Sequence, residues 1–177
     1  MALTSLSFTS CEDEAIASTL EGTWEGNMYI SSEWNGRVYD ATYTEIEFLL
    51  DPFRFTQGTG YWVDHYSGAP WDYIACHINW KVDNSRITVY FREEGSTIVI
   101  EDYYLSDNRF KGVIYDNGNR VNFSLIHTSS PNWDDYVWGW EPWDYSRKNT
   151  ILPDDLTSRA TTDSIKSEKP KRILRIK

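Results

Sequence analysis

The chain has 177 residues, enough for one domain with a full core and few for two. Its net charge of −10 argues against nucleic acid as a partner, and no run approaches the roughly 18 apolar residues of a membrane-spanning helix. Nine Trp, twelve Tyr and seven Phe within 40 % apolar residues favour β-structure, where large rings pack on a pleated surface.

The first feature in chain order is "LSFTSCEDEA", residues 6–15, with Cys11 after the small pair Thr9 and Ser10 and before an acidic run. This stretch resembles the end of a bacterial lipobox, where a peptidase cuts before a cysteine that then carries lipid. The resemblance implies that residues 1–10 are the remnant of a lipoprotein signal peptide and residues 11–20 an acylated, acidic tether. "MALTSLSF" is short for a signal peptide and has neither Lys nor Arg, so the alternative is that Cys11 is an ordinary residue in a frayed end. The expected address is the gram-negative cell envelope, on the outer membrane, with the acidic run resembling a surface-export signal. Cys76 is then left as a small buried hydrophobe, with a Cys11–Cys76 disulfide as the other possibility.

From Gly22 onward the apolar spacing is two. In "DYIACHINWKV", Ile74, Cys76, Ile78, Trp80 and Val82 fall on one side, with Tyr73, His77, Asn79 and Lys81 opposite, as in a half-buried strand. Asn-Gly at 35–36 and 117–118 is the strongest two-residue hairpin signal, because both central residues must accept positive φ. Strands are predicted over 22–33, 37–50, 54–66, 71–82, 86–93, 97–105, 109–116 and 120–128, and no long helix. Short joins make sequence neighbours antiparallel neighbours. The expected fold is all-β, an eight-stranded antiparallel up-and-down barrel; a sandwich would need crossovers longer than any loop here.

Within that frame Gly22 and Trp24 of "LEGTWEG" form a Gly-x-Trp in the first strand, which resembles the signature of lipocalins and related calycin barrels. The resemblance covers residues 20–128 and is closest to lipocalin-like domains of gram-negative lipoproteins. It implies that Trp24 packs across the barrel base, with Arg120 the candidate for an Arg over that ring. It also implies binding of a small apolar or amphipathic ligand. The inward side chains Trp80, Phe91, Ile100 and Phe123 either fill the barrel or line a pocket; both readings stay open.

Catalytic signals are poor. His65, His77 and His127 lack metal-ligand spacing, no serine lies in a G-x-S-x-G elbow, and no Gly-rich phosphate loop exists. Glu45 and Glu47, like Asp134 and Asp135, read as solvated outer-face acids rather than a glycosidase pair. The expectation is a monomeric binding module, not an enzyme, needing no cofactor or metal.

Residues 131–147 carry Trp133, Trp138, Trp140 and Trp143, completing a domain over 21–147. This stripe is expected either to plug the barrel wall or mouth, or to form a glycan-binding or protein-interaction surface, the alternative to an apolar ligand. From about residue 148 the chain is polar and aperiodic, and 148–177 is expected to be a disordered basic tail. Residues 166–177 hold six Lys or Arg and one Glu, leaving the preceding 165 residues at a net −15.

Overall fold

The structure, a computed structural model, describes residues 7–116, 119–140 and 169–174. Helix α1 (Ser7–Leu20) comes first. The strands follow as β1 (Gly22–Asn27), β2 (Ile30–Trp34), β3 (Arg37–Asp51), β4 (Arg54–Tyr66), β5 (Tyr73–Asp83), β6 (Arg86–Phe91), β7 (Ser96–Ser106), β8 (Arg109–Asp116), β9 (Asn119–Thr128) and β10 (Lys171–Leu174). Strands β3 to β9 pair in sequence order, each antiparallel to the one before, and β1 pairs with both β3 and β9. Eight strands, β1 and β3–β9, thus close an antiparallel up-and-down barrel, as expected from the short joins.

Period-two alternation sets what lies inside. On β5 the side chains of Ile74, Cys76, Ile78, Trp80 and Val82 are buried while Asn79 and Lys81 face out. Tight turns follow the local chemistry: Asn35 and Gly36 both take positive φ (48° and 70°), and Asn84 and Ser85 do the same at the β5–β6 hairpin (52° and 59°). The second Asn-Gly pair, residues 117–118, lies outside the described residues.

The predicted first strand, 22–33, is broken in two. Tyr29 sits at φ 51°, its N–H donating to Asn27 Oδ1 (2.7 Å), and the chain turns away from β9 at that point. Beyond the break β2 still pairs with β3, from Ser31 opposite Asp40 to Trp34 opposite Arg37. Its other edge is left for β10, which adds antiparallel from Lys171 opposite Glu33 to Leu174 opposite Ile30.

Two sequence expectations are corrected at the ends of the barrel. Where a tether was expected over 11–20, and no long helix, α1 runs from Ser7 to Leu20 and seals the base. Five Ser and Thr in fourteen residues give it poor intrinsic propensity, so docking holds it. Ala17 and Leu20 are buried, and the Asp13 carboxylate accepts from the Asn84 and Ser85 N–H groups (3.0 and 2.8 Å). Where a disordered tail was expected over 148–177, residues 171–174 form β10 at the opposite end, the mouth. The physical reason is the free β2 edge together with the buried Asp64 carboxylate, which needs a cation. Residues 148–168 and 175–177 lie outside the described residues.

Candidate binding site at the barrel mouth

Below the mouth the barrel is filled. Trp24, Phe48, Trp62, Trp80, Phe91, Ile100, Phe110 and Phe123 belong to one buried cluster, with Phe110 and Phe123 edge to face at 4.8 Å. Of the sequence-predicted ligand residues, Trp80 and Phe123 are therefore core. Trp80 donates its indole N–H to the Thr59 carbonyl (2.8 Å) and packs edge-on to Phe48. Phe91, at the end of β6, lies higher and forms part of the floor of the mouth.

The base is closed around Trp24. Its indole N–H donates to the Leu20 carbonyl (2.8 Å), and its ring meets Phe110 at 5.8 Å and His127 at 5.0 Å, both edge to face. Gly22 precedes it at φ 119°, where an added Cβ would stand 2.5 Å from His127 Nε2. The Gly-x-Trp pair is thus shaped by the last barrel strand. Arg120 does not lie over the ring: it is exposed and stands over Tyr115, and His127 takes that place.

At the mouth the geometry changes from apolar to charged. Asp64, on β4, is fully buried and accepts from Thr44 Oγ1 (2.7 Å) and Trp62 Nε1 (3.0 Å). Glu94, in the β6–β7 turn, accepts from Ser96 Oγ (3.1 Å) and the Cys76 thiol (3.4 Å). Between them sits the Arg172 guanidinium from β10. It donates through Nε (3.0 Å) and Nη2 (2.9 Å) to Glu94 and through Nη1 to Asp64, and it lies 4.1 Å from the Phe91 ring centroid. Burial alone would raise the Glu94 carboxyl, but the adjacent guanidinium overrides it and holds Glu94 below its ordinary value. Burial pushes the Cys76 thiol far above its ordinary value, so it stays protonated and serves as a donor to Glu94. Cys76 and Cys11 are both free, and no disulfide joins them.

Beside this ion cluster is a cavity of about 400 Å³. Ile74, Ile98, Trp140 and Leu174 supply its apolar wall, and Glu93, Glu94, Ser96 and Thr97 its polar edge. Trp140 reaches it by packing on Trp71 (5.1 Å), which in turn meets Trp34 and Tyr39 at the rim. The aromatic extension approaches over the outer wall of β3–β5, where Trp138 stacks on Tyr61 (4.9 Å) and meets His77 at a tilt (4.3 Å). Trp133 meets Tyr61 at 5.1 Å. Gly139, at φ 83°, donates its N–H to the Ala75 carbonyl (2.8 Å) and turns the chain over the rim. Hence Trp133 and Trp138 cover the wall while Trp140 alone of the three enters the mouth.

The family model of a lipocalin-like domain matches residues 20–112, just over half of the chain. The chain belongs to that lipocalin-like family. The match ends inside β8, so the β9 strand that closes the barrel and the β10 strand at its mouth lie beyond it. Among solved structures, a redesigned β-barrel is similar at 12 % identity over 64 % of this chain and 95 % of its own, with a TM-score of 0.38. No curated protein matches.

A lipocalin-like barrel is typically a binding fold rather than a catalytic one. Among the described residues no group of three His, Cys, Asp or Glu is arranged to hold a metal ion. The outer-wall acids have structural partners: Glu45 accepts from Tyr136 OH (2.8 Å) and pairs with His65 Nε2 (2.7 Å), and Glu47 accepts from Ser130 Oγ (2.6 Å). The Asp64–Glu94–Arg172 cluster was missed in the sequence. A single arginine in a basic tail gives no sign of a carboxylate partner 108 residues earlier.

Proposed function

We propose that this lipocalin-like protein is a non-catalytic binding module. It takes a small amphipathic molecule at the mouth of a barrel whose core is otherwise full. The observation that carries this reading is the mouth cavity, whose volume of about 400 Å³ lies in the range of small-molecule sites and whose lining joins an apolar wall to a polar edge. A neutral solvatochromic dye such as Nile red should bind saturably with blue-shifted emission. Thr97→Trp, which fills the cavity from its exposed rim, should weaken that binding while leaving the melting temperature in place. No saturable binding, or binding indifferent to Thr97→Trp, would remove the mouth from consideration.

The lipoprotein address belongs to the same proposal, with the protein a monomer anchored to the outer membrane through Cys11. Support comes from placement: Cys11 is exposed on α1, at the sealed base, so an acyl chain there would leave the mouth facing away from the membrane. Cleavage before Cys11 would spare Asp13, Ala17 and Leu20, the residues that dock the helix. In its native host the protein should partition with membranes, and Cys11→Ala should release it to the soluble fraction. Unchanged partition of the variant would defeat the anchor.

A further inference from the structure

Two carboxylates, the buried Asp64 and the partly buried Glu94, converge on one point at the mouth, and the barrel orients both without help from the tail. The donors to Asp64, Thr44 Oγ1 and Trp62 Nε1, are on β3 and β4; those to Glu94, Ser96 Oγ and Cys76 Sγ, are on β7 and β5. Phe91 and Trp62 present ring faces to the same point, with centroids 4.1 and 5.7 Å from the Arg172 guanidinium carbon. Two neighbouring carboxylates, one of them fully buried, beside two aromatic faces are unfavourable until a cation joins them, and cation–π attraction adds to the pairing. A planar guanidinium fits better than an ammonium, because its fork meets both carboxylates while its face stacks on a ring.

The cation comes from a separate strand. β10 adds to the outer edge of β2 in the register Lys171–Glu33 to Leu174–Ile30, and its alternate side chains Arg172 and Leu174 point inward. Leu174 fills an apolar seat two residues beyond the guanidinium site, so the mouth reads Arg-x-apolar on an extended chain. Backbone pairing to a sheet edge with pockets for alternate side chains is a general mode of peptide recognition.

We propose that the barrel mouth is a recognition site for an arginine carried on an extended peptide strand of a partner protein, and that residues 171–174 are its occupant in cis. The partner segment has the form Arg-x-Leu, or a similar apolar residue in the third place, and pairs with β2 as β10 does. The tethered strand competes at the high effective concentration of an intramolecular ligand, so partner binding requires its displacement. The inference rests on reading the mouth as the binding end. It does not need the neighbouring cavity to take an apolar molecule, so dye binding can fail while this stands.

The test uses the full chain and a fluorescent hexapeptide of residues 169–174, "KPKRIL". In the variant R172A/L174D both inward anchors of the tail are lost and the seat is exposed. That variant should bind the peptide saturably, and at least about tenfold more tightly than the wild type, whose own strand competes. The peptide carrying Arg172→Lys should bind about tenfold more weakly, and that carrying Arg172→Ala not at all. N-acetyl-arginine amide should also be weak, for want of the β2 ladder. Failure of the peptide to bind a variant with native near-ultraviolet circular dichroism would overturn the proposal, as would equal binding of the Ala peptide. Arginine amide binding as tightly as the hexapeptide would replace the peptide ligand by a small guanidinium compound and overturn it in that form. Should R172A/L174D not fold, D64N/E94Q supplies the answer by amide hydrogen exchange. Residues 171–174 should lose protection while β3–β9 keep theirs, and retained protection at 171–174 would refute the site.

Discussion

Trp24 binds three separate parts of the chain at the barrel base: the end of α1 through its indole N–H, β8 through Phe110 and β9 through His127. Removing that side chain opens a void between parts that do not otherwise fill it. Trp24→Ala should therefore cost about 3–5 kcal/mol, the usual penalty for emptying a large aromatic site, read as a shift of the urea midpoint at constant m-value. A loss under about 1 kcal/mol would mean that α1 and the barrel hold together without it. The role of Trp24 was legible through the resemblance of Gly22 and Trp24, in the first strand of an eight-strand pattern, to the lipocalin signature. Its neighbour was not: His127 is 103 positions away, and only barrel closure, which sets Trp24 opposite His127 in the β1–β9 ladder, decides which side chain meets the ring.

Among the elements, the aromatic extension turns a solvent-facing wall into a covered one. Trp133, Tyr136 and Trp138 lie on β3–β5 over Tyr61, Tyr73 and His77, and the Tyr136 hydroxyl donates to Glu45. Partial burial plus ring contacts with Tyr61, His77 and Tyr136 should make Trp138→Ala cost about 1–2 kcal/mol. Chemical denaturation checks the value, and dye binding at the mouth should not change. If stability is untouched while a glycan array gains or loses signal, Trp138 is a platform residue instead of a cover. Spacing of two in the sequence puts Tyr136, Trp138 and Trp140 on one face of an extended chain. It did not show that Gly139 takes positive φ and sends Trp140 over the rim to Trp71. Helix α1 was hidden for a different reason: Ser, Thr and acids dominate it, and its stabilising contacts, such as Asp13 with the β5–β6 turn, lie over 70 residues away.

As a whole, the molecule is a filled barrel with a helix across one end and a charged strand across the other. The charged end should respond to acid. The Glu94 carboxyl lies below its ordinary value of 4.5, so its pairing with Arg172 contributes fully above that pH and is lost as pH falls through the lower folded-state value. Arg172 is raised and stays charged throughout. Below pH 4.5 the amides of residues 171–174 should lose exchange protection ahead of the barrel strands. Loss of β10 and of the barrel at the same pH would show that the two ends unfold as one unit.

The eight-strand barrel, its described hairpin positions and the inward set were determined by the sequence itself, since alternation and turn chemistry are local and short joins leave few ways to arrange eight strands. What only the tertiary structure decided is how each end is closed. The base depends on a helix with little propensity of its own, and the mouth on an arginine whose carboxylate partners, Asp64 and Glu94, are brought together by strand pairing far earlier in the chain. Neither closure has a local signal, because desolvated charges and docked faces acquire partners only after the barrel has formed.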